Sequence, residues 1–264
     1  MASDIPANND GITGDVMLYS RPEPLSIEAH RGLGMQRLDN PFAFAAKAHF
    51  VPLAVTEFGP AALSYPIIFV GEEKVPVGVM SLQPDDNLFI TGGVFDPLAY
   101  VPAYVRRYPF VLAANQEEQQ MVVCIDRAAE ALVPGGEVGL FDGDEPTEYT
   151  KNAVQFCKEF ETEVQRTNSF ISLLKTLDMF ELKTATWTPQ TTDGSVAEPI
   201  TIAEYWAISE EKLGKLSDGS VLELHKSGAL HAIHAHLMSL MGWDRLIVRS
   251  MMRDAAAMTP QGNA

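Results

Sequence analysis

The segment best suited to chemistry runs from Tyr100 to Phe110. It holds four aromatic residues, two prolines and a pair of arginines within eleven positions. The prolines fix the backbone and restrict the residues before them, and the rings offer rigid contact area. Guanidinium groups bind carboxylates, phosphates or ring faces. This chemistry serves recognition rather than catalysis, and it predicts a ligand- or partner-binding site at Tyr100, Tyr104, Arg106, Arg107 and Tyr108.

Two interpretations of Arg106 and Arg107 stay open at this point. In the first, one guanidinium neutralises an internal carboxylate and the other faces solvent. In the second, one guanidinium projects from a rigid aromatic wall and holds an acidic partner or ligand. The three tyrosines recur every four residues, but Pro102 and Pro109 argue against a long helix. In the structural interpretation, the three tyrosines are half-buried in the core and their hydroxyls lie at its rim.

Histidines gather near the C-terminal end, where His231, His234 and His236 lie within six residues. On a helix, His231 and His234 point about 60° apart, and His236 points about 140° away from His231. Two of them could therefore share one ion. The pattern contains no H-E-x-x-H motif and no start of a two-histidine, one-carboxylate iron site. A metal-dependent enzyme of unknown reaction, using His231 and His234, is the alternative hypothesis.

Other catalytic signatures are missing from the sequence. There is no G-x-S-x-G elbow and no P-loop, and the Gly32-Leu33-Gly34 stretch lacks the third glycine of a dinucleotide fingerprint. The acidic loop from Asp142 to Glu148 lacks the ligand spacing of a calcium loop. The sequence therefore predicts no catalytic residue and no cofactor, and it favours a protein that is not an enzyme.

The composition excludes several classes of function. A net charge of −16 over 264 residues argues against nucleic-acid binding. The first residues contain no secretory signal, and no apolar run approaches the length of a membrane span. We therefore expect a cytoplasmic protein without membrane insertion. Cys124 and Cys157 are far apart, which predicts two buried free thiols.

Hydrophobic periodicity predicts an α+β fold. We expect an extended N-terminal arm over residues 1–44, a single domain over 45–252 and a frayed tail over 253–264. A mixed or antiparallel sheet from about 50 to 126 packs against a helical C-terminal part in this prediction. Apolar residues at alternating spacings of four and three predict a long helix over 151–182 that packs on the sheet.

Smaller elements follow from local signals. Leu88–Ile90 is predicted as a strand, and residues 184–199 as a strand followed by a turn at Asp193-Gly194. A second strand follows at Ile200–Ile208, then a short helix capped by Ser209. The last helix is predicted from about Leu230 to Met251.

Several motifs accompany the central block, and together they carry a family resemblance over about residues 45–248. They are His49-Phe50-Val51-Pro52-Leu53, Glu57-Phe58, Tyr65-Pro66-Ile67-Ile68-Phe69-Val70, Asn87-Leu88-Phe89, Ser227-Gly228-Ala229-Leu230 and Ala235-His236-Leu237-Met238-Ser239-Leu240. With the Tyr100–Phe110 block, they resemble the SapC-like family of bacterial proteins. The family commonly has a tryptophan before the tyrosine block, where this chain has Phe95-Asp96-Pro97-Leu98.

The family is named for an association with bacterial surface-layer formation. Its members often occur beside TonB-dependent outer-membrane receptors and flavin-dependent tryptophan-halogenase-like proteins. The aromatic–arginine block, in a chain without a catalytic motif, predicts a non-catalytic binding or accessory protein. The resemblance implies that it acts with a bacterial surface or outer-membrane uptake system. The expected partner is a protein or a small acidic or aromatic ligand. A homo-oligomer, or a structural subunit of a larger assembly, stays open.

Overall fold

The computed structural model describes residues 17–115, 120–188 and 198–258. With 39% helix, 26% strand and antiparallel sheets, it confirms the α+β class. The described strands are β1 Pro22–Pro24, β2 Leu33–Met35, β3 Phe50–Pro52, β4 Ile67–Val70, β5 Val75–Val79, β6 Ile90–Thr91, β7 Val94–Phe95, β8 Phe110–Asn115, β9 Gln120–Asp126, β10 Leu132–Pro134, β11 Val138–Gly139, β12 Phe141–Asp142, β13 Glu145–Pro146, β14 Phe180–Trp187 and β15 Ile200–Ile208. The described α-helices are α1 Ile27–His30, α2 Phe58–Ala62, α3 Ala103–Arg106, α4 Glu148–Thr176, α5 Glu210–Gly214, α6 Asp218–Lys226, α7 Ala229–Ser239 and α8 Gly242–Met258.

The chain divides into two compact units. Among the described residues, unit 1 comprises 17–45, 92–94, 104–115 and 120–162, and the remainder forms unit 2. Helix α4 belongs to unit 1 through Thr162 and to unit 2 from Glu163. The described part of the predicted N-terminal arm contributes strands β1 and β2 to unit 1.

Unit 1 contains two three-stranded antiparallel sheets, in the orders β1-β9-β8 and β10-β2-β11, and the hairpin β12-β13. Apolar side chains from these strands and from α4 form its core, which includes Leu33, Phe110, Ile125, Leu140 and Cys157. The acidic loop predicted after Phe141 is the tight turn of the β12-β13 hairpin, with Gly143 at φ 61°. The chain segments around the central block are thus held by strand pairing.

Two glycines of unit 1 allow two backbones to approach closely. A Cβ on Gly136 would lie 2.4 Å from the carbonyl carbon of Gly34, and a Cβ on Gly34 would lie 2.8 Å from the Gly136 oxygen. Gly34 is the middle residue of β2, which pairs with both β10 and β11. Gly34 and Gly136 therefore serve close packing within unit 1.

Unit 2 is built on a five-stranded antiparallel sheet in the order β14-β15-β4-β5-β3. Its core contains rings in contact, with centroid distances of 6.2 Å between Phe58 and Phe69, 5.9 Å between Phe58 and Phe170, and 5.1 Å between Phe69 and Phe180. Strands β14 and β15 extend the sheet well beyond the predicted stretch of 50–126. Tertiary pairing brings these distant segments together.

A buried carboxyl group organises one loop of unit 2. Glu57 accepts hydrogen bonds from the Ala54 amide at 2.9 Å, from the Ala103 amide at 2.7 Å and from the Tyr100 hydroxyl at 2.9 Å. The Ala103 amide begins helix α3, where the positive end of the helix dipole favours an acidic side chain. Glu57 therefore fixes the start of the Tyr100–Phe110 segment.

Several predicted elements differ from the structure. The long helix ends at Thr176 rather than at 182, because the chain turns at Asp178, with φ 52°, and Phe180 enters β14. The strand predicted at Leu88–Ile90 is mostly a turn, because the Asn87 side chain accepts a hydrogen bond from the Phe89 amide at 2.9 Å.

The predicted last helix is two helices, α7 and α8. The break falls before Gly242, whose missing Cβ would lie 3.2 Å from the Pro66 backbone nitrogen. Helix α8 then continues to Met258, into the segment predicted to fray, and the turn predicted at Asp193-Gly194 lies outside the described residues. The capping role predicted for Ser209 is confirmed, since its side chain accepts from the Lys212 amide.

Candidate binding site

A groove of about 710 Å³ lies in unit 1 beside the central block. Its volume is in the range of small-molecule sites. The groove is lined mainly by residues of the predicted N-terminal arm, by the end of α3 and by the turn after it. Its lining includes Gln36, Arg37, Asp39, Asn40, Pro41, Phe44, Val94, Arg106, Tyr108 and Glu130. Polar and apolar side chains therefore face the same space.

Stacked rings form one wall of the groove. The rings of Phe44 and Tyr108 lie 3.8 Å apart at 14°, an arrangement that holds both flat. The Tyr108 hydroxyl lies 3.4 Å from a carboxyl oxygen of Asp126. Burial first, and the nearby Asp126 second, raise the pKa of Tyr108 well above its usual value. Tyr108 is therefore a neutral, fixed aromatic surface at physiological pH.

The segment that carries Phe44 is positioned by a close backbone contact. The Phe42 amide donates to the Gly93 carbonyl at 2.9 Å. Gly93 has φ 78°, and a Cβ there would lie 2.5 Å from the Cβ of Asn40. Only glycine satisfies both conditions, so the Gly92-Gly93 turn sets the position of Asn40 and of the residues after it.

Charged side chains complete the groove. Arg106 is exposed and its guanidinium lies 5.3 Å from the centre of the Phe156 ring. Arg37, Asp39 and Glu130 are also exposed. The groove thus carries two guanidinium groups and two carboxyl groups, which makes it locally balanced in a chain of net charge −16. This local balance reduces the repulsion that the net negative charge of the chain exerts on an anion.

Arg107 has a different environment from Arg106. Its guanidinium lies 4.0 Å from the ring centre of Tyr104, 4.7 Å from that of Phe160 and 5.7 Å from that of Tyr19. Its Nε atom is buried and has no hydrogen-bond partner among the described residues, nor is any described carboxylate within ion-pair distance. The half-buried cation lies among ring faces of unit 1.

The rings around Arg107 are themselves fixed. The Tyr19 hydroxyl donates to the Phe110 carbonyl at 2.7 Å, and the Tyr104 hydroxyl donates to the Met17 carbonyl at 3.0 Å. Burial raises the pKa of both hydroxyls, while the charge of Arg107 opposes that shift. Both tyrosines are therefore structural supports of the arginine.

The structure separates the five residues predicted as one site. Arg106 and Tyr108 line the groove, whereas Tyr104 and Arg107 form the interior aromatic cluster. Tyr100 belongs to unit 2, where its hydroxyl donates to Glu57. Sequence reasoning missed Phe44, Arg37 and Asn40. The only signal for them was the aromatic pair Phe42 and Phe44 directly after Pro41.

Replacing Arg106 and replacing Arg107 should change the free energy of unfolding by different amounts. We expect Arg107→Ala to lower the free energy of unfolding by about 2 kcal/mol, because it removes cation–π contacts and leaves a void among three rings. Arg106→Ala should change it by less than about 0.5 kcal/mol, as is usual for exposed side chains. Urea unfolding followed by circular dichroism measures both. Equal losses would contradict the assignment of Arg107 to the cluster of rings.

The predicted histidine site gains no further ligands from the fold. His231 and His234 are exposed on α7, and no group of three or more His, Cys, Asp and Glu side chains within the described ranges is arranged to hold a metal ion. His236 is fully buried, and its Nε2 accepts from the Ile208 amide at 3.0 Å. Burial lowers the pKa of His236 to about 3.

Both cysteines are free and buried, as predicted. Burial raises the pKa of each thiol to about 11, although Arg107 partly opposes this at Cys157. A thiol with such a pKa carries almost no thiolate at neutral pH. Neither residue has the properties of a nucleophile.

The fold and the groove together define an α+β protein with a preformed, mixed-charge aromatic cleft. The SapC family model matches residues 25–246, which is most of the chain, and the protein therefore belongs to the SapC family. No curated protein and no solved structure is similar enough to match. No helix in the described part of the chain has the length and apolar character needed to cross a membrane.

Proposed function

We propose that this protein is a non-catalytic binding or accessory protein, and that it holds an acidic, aromatic group in the groove of unit 1. The observation that carries the proposal is the placement of the Arg106 guanidinium and the stacked Tyr108–Phe44 rings on one cavity of about 710 Å³. A guanidinium binds a carboxylate or phosphate, and flat rings bind another ring.

Fixed geometry supports binding rather than loose association. Tyr108 is held on one side by Phe44 and at its hydroxyl by Asp126. The backbone of the segment that carries Phe44 is held at Gly93. A cleft that needs little ordering on binding loses less conformational entropy. The group bound here belongs either to a small molecule or to a side chain of a partner protein.

The cellular setting of this binding is part of the same proposal. Membership of the SapC family supports a role beside a bacterial surface or outer-membrane uptake system, with the protein acting from the cytoplasm. Because the chain is acidic, we do not expect a nucleic acid or an anionic membrane as its partner. A partner that presents a single ring and a single carboxylate suits it better.

Calorimetric titration with three small probes tests the proposal. Phenylacetate carries a ring and a carboxylate, acetate carries only the carboxylate, and benzyl alcohol carries only the ring. We expect phenylacetate to bind most tightly, and Arg106→Ala to weaken its binding at least about tenfold, because a charged hydrogen bond is lost. Phe44→Ala should weaken phenylacetate and benzyl alcohol alike.

The control is Arg166→Ala, which removes another exposed arginine, from unit 2. Its binding should equal that of the unchanged protein. If Arg106→Ala and Arg166→Ala bind phenylacetate equally well, or if no probe binds at all, the groove is not the site proposed here.

A further inference from the structure

One face of helix α8 exposes large apolar side chains. Met241, immediately before the helix, is 77% exposed, and Val248 and Met252 on it are 48% and 69% exposed. Leu246, Ile247 and Ser250 face the opposite way and are buried in unit 2. Contiguous exposed apolar surface of this kind marks an interaction site. We define the α8 face as Met241, Asp244, Arg245, Val248 and Met252.

Two adjoining hollows border this face. One, of about 210 Å³, is lined by Leu63 and Leu98, and the other, of about 400 Å³, by Val248 and Met252. Arg245 and Arg249 line both, so the hollows are continuous along the helix. Leu98 is 95% exposed and Leu63 is 77% exposed. The apolar surface therefore extends beyond the helix itself.

The charges of the face are balanced. Arg249 is paired with Asp96. Asp244 and Arg245 are both exposed, and neither forms an ion pair with any described residue. A strongly acidic or strongly basic partner would satisfy one of them and repel the other. A second copy of the face presents an arginine to Asp244 and an aspartate to Arg245.

The spacing of the face is symmetric about this charged pair. Met241 lies three residues before Asp244, and Val248 lies three residues after Arg245. In a twofold contact between antiparallel copies of the helix, Asp244 meets Arg245 of the second copy. The same alignment places Met241 opposite Val248 of the second copy. Each ion pair is then flanked by an apolar contact, and the interface repeats itself as twofold symmetry requires.

We propose that the protein forms a homodimer through the α8 face, with reciprocal Asp244–Arg245 pairs between the two copies. The proposal stands apart from the groove of unit 1. Two copies of a chain with net charge −16 repel each other, so a locally neutral face is where they can approach. The dimer is accordingly weak and dissociates on dilution.

Sedimentation velocity from about 1 to about 100 μM tests this, a range that brackets a micromolar dissociation constant. The unchanged protein should shift from monomer to dimer. Asp244→Arg and Arg245→Asp should each raise the dissociation constant at least about tenfold, because each sets like charges opposite one another. The double variant with both changes should recover the dimer, since the pairs are restored in reverse.

Val248→Glu serves as an independent disruption of the apolar contact and should also give monomers. All three positions are exposed, and thermal unfolding confirms that each variant is folded. A protein that stays monomeric throughout, a dimer unaffected by the single charge changes, or a double variant that fails to regain the dimer would each overturn the proposal.

Discussion

Lowering the pH from 6.5 towards 3 is expected to cost up to about 5 kcal/mol of unfolding free energy through His236 alone. Burial lowers the pKa of His236 in the folded protein to about 3, with Lys183 acting in the same direction. The unfolded chain therefore binds a proton first as the pH falls. The contribution of the neutral imidazole is complete above pH 6.5 and is lost progressively towards pH 3.

Urea unfolding at a series of pH values checks this expectation. His236→Gln keeps a side chain that can accept a hydrogen bond from the Ile208 amide but cannot titrate. It should lower stability at neutral pH and flatten its dependence on pH between 6.5 and 3. His234→Gln, at an exposed position of the same helix, should leave the stability at neutral pH unchanged. Identical slopes in the unchanged protein and in His236→Gln would refute a buried neutral imidazole.

Replacing Asp126 by alanine should lower the free energy of unfolding by about 3 kcal/mol. The Asp126 side chain is fully buried and accepts from the amides of Ser20 and Arg21, each at 2.9 Å, and of Ala128 at 3.0 Å. It also lies against the Tyr108 hydroxyl. Alanine leaves several polar groups of unit 1 without their acceptor. The effect is large because an unpaired buried donor loses its hydration without gaining a hydrogen bond in return.

Matched variants sharpen the measurement by denaturant unfolding. Asp126→Asn retains one acceptor oxygen and should lose less than Asp126→Ala. Asp144→Ala removes an exposed carboxylate that pairs with Arg31 at the surface, so it should change stability by less than about 0.5 kcal/mol. If Asp126→Ala lowers stability no more than Asp144→Ala does, then Asp126 does not hold the Ser20 and Arg21 backbone in front of β1.

Local patterns in the sequence predicted much of the secondary structure. The apolar spacing between Ala153 and Leu174 predicted helix α4, and local signals predicted the strand that is β15. Both predictions depend on patterns that a short stretch of chain carries by itself. The boundaries failed where one residue decides the outcome, as at Asp178, where the backbone turns, and at Gly242, which lies against Pro66.

The candidate site was only half predictable, because adjacent residues can point to opposite sides. Sequence alone left open which of Arg106 and Arg107 faces outward. The three rings that surround Arg107 come from segments far apart in the chain, as Tyr19 and Phe160 show. Phe44 likewise reaches Tyr108 only through the fold. Residue types indicated recognition, but tertiary packing determined which side chains can contact a ligand.

The most direct test of the account follows arginine side-chain NMR signals during a titration with phenylacetate. The Nε–Hε resonance of Arg106 should shift and saturate, together with the ring signals of Tyr108, while Arg107 and Arg166 stay in place. A saturating shift at Arg107 without one at Arg106, or no saturating change at either, would contradict the claim that the exposed guanidinium beside the stacked rings binds the ligand.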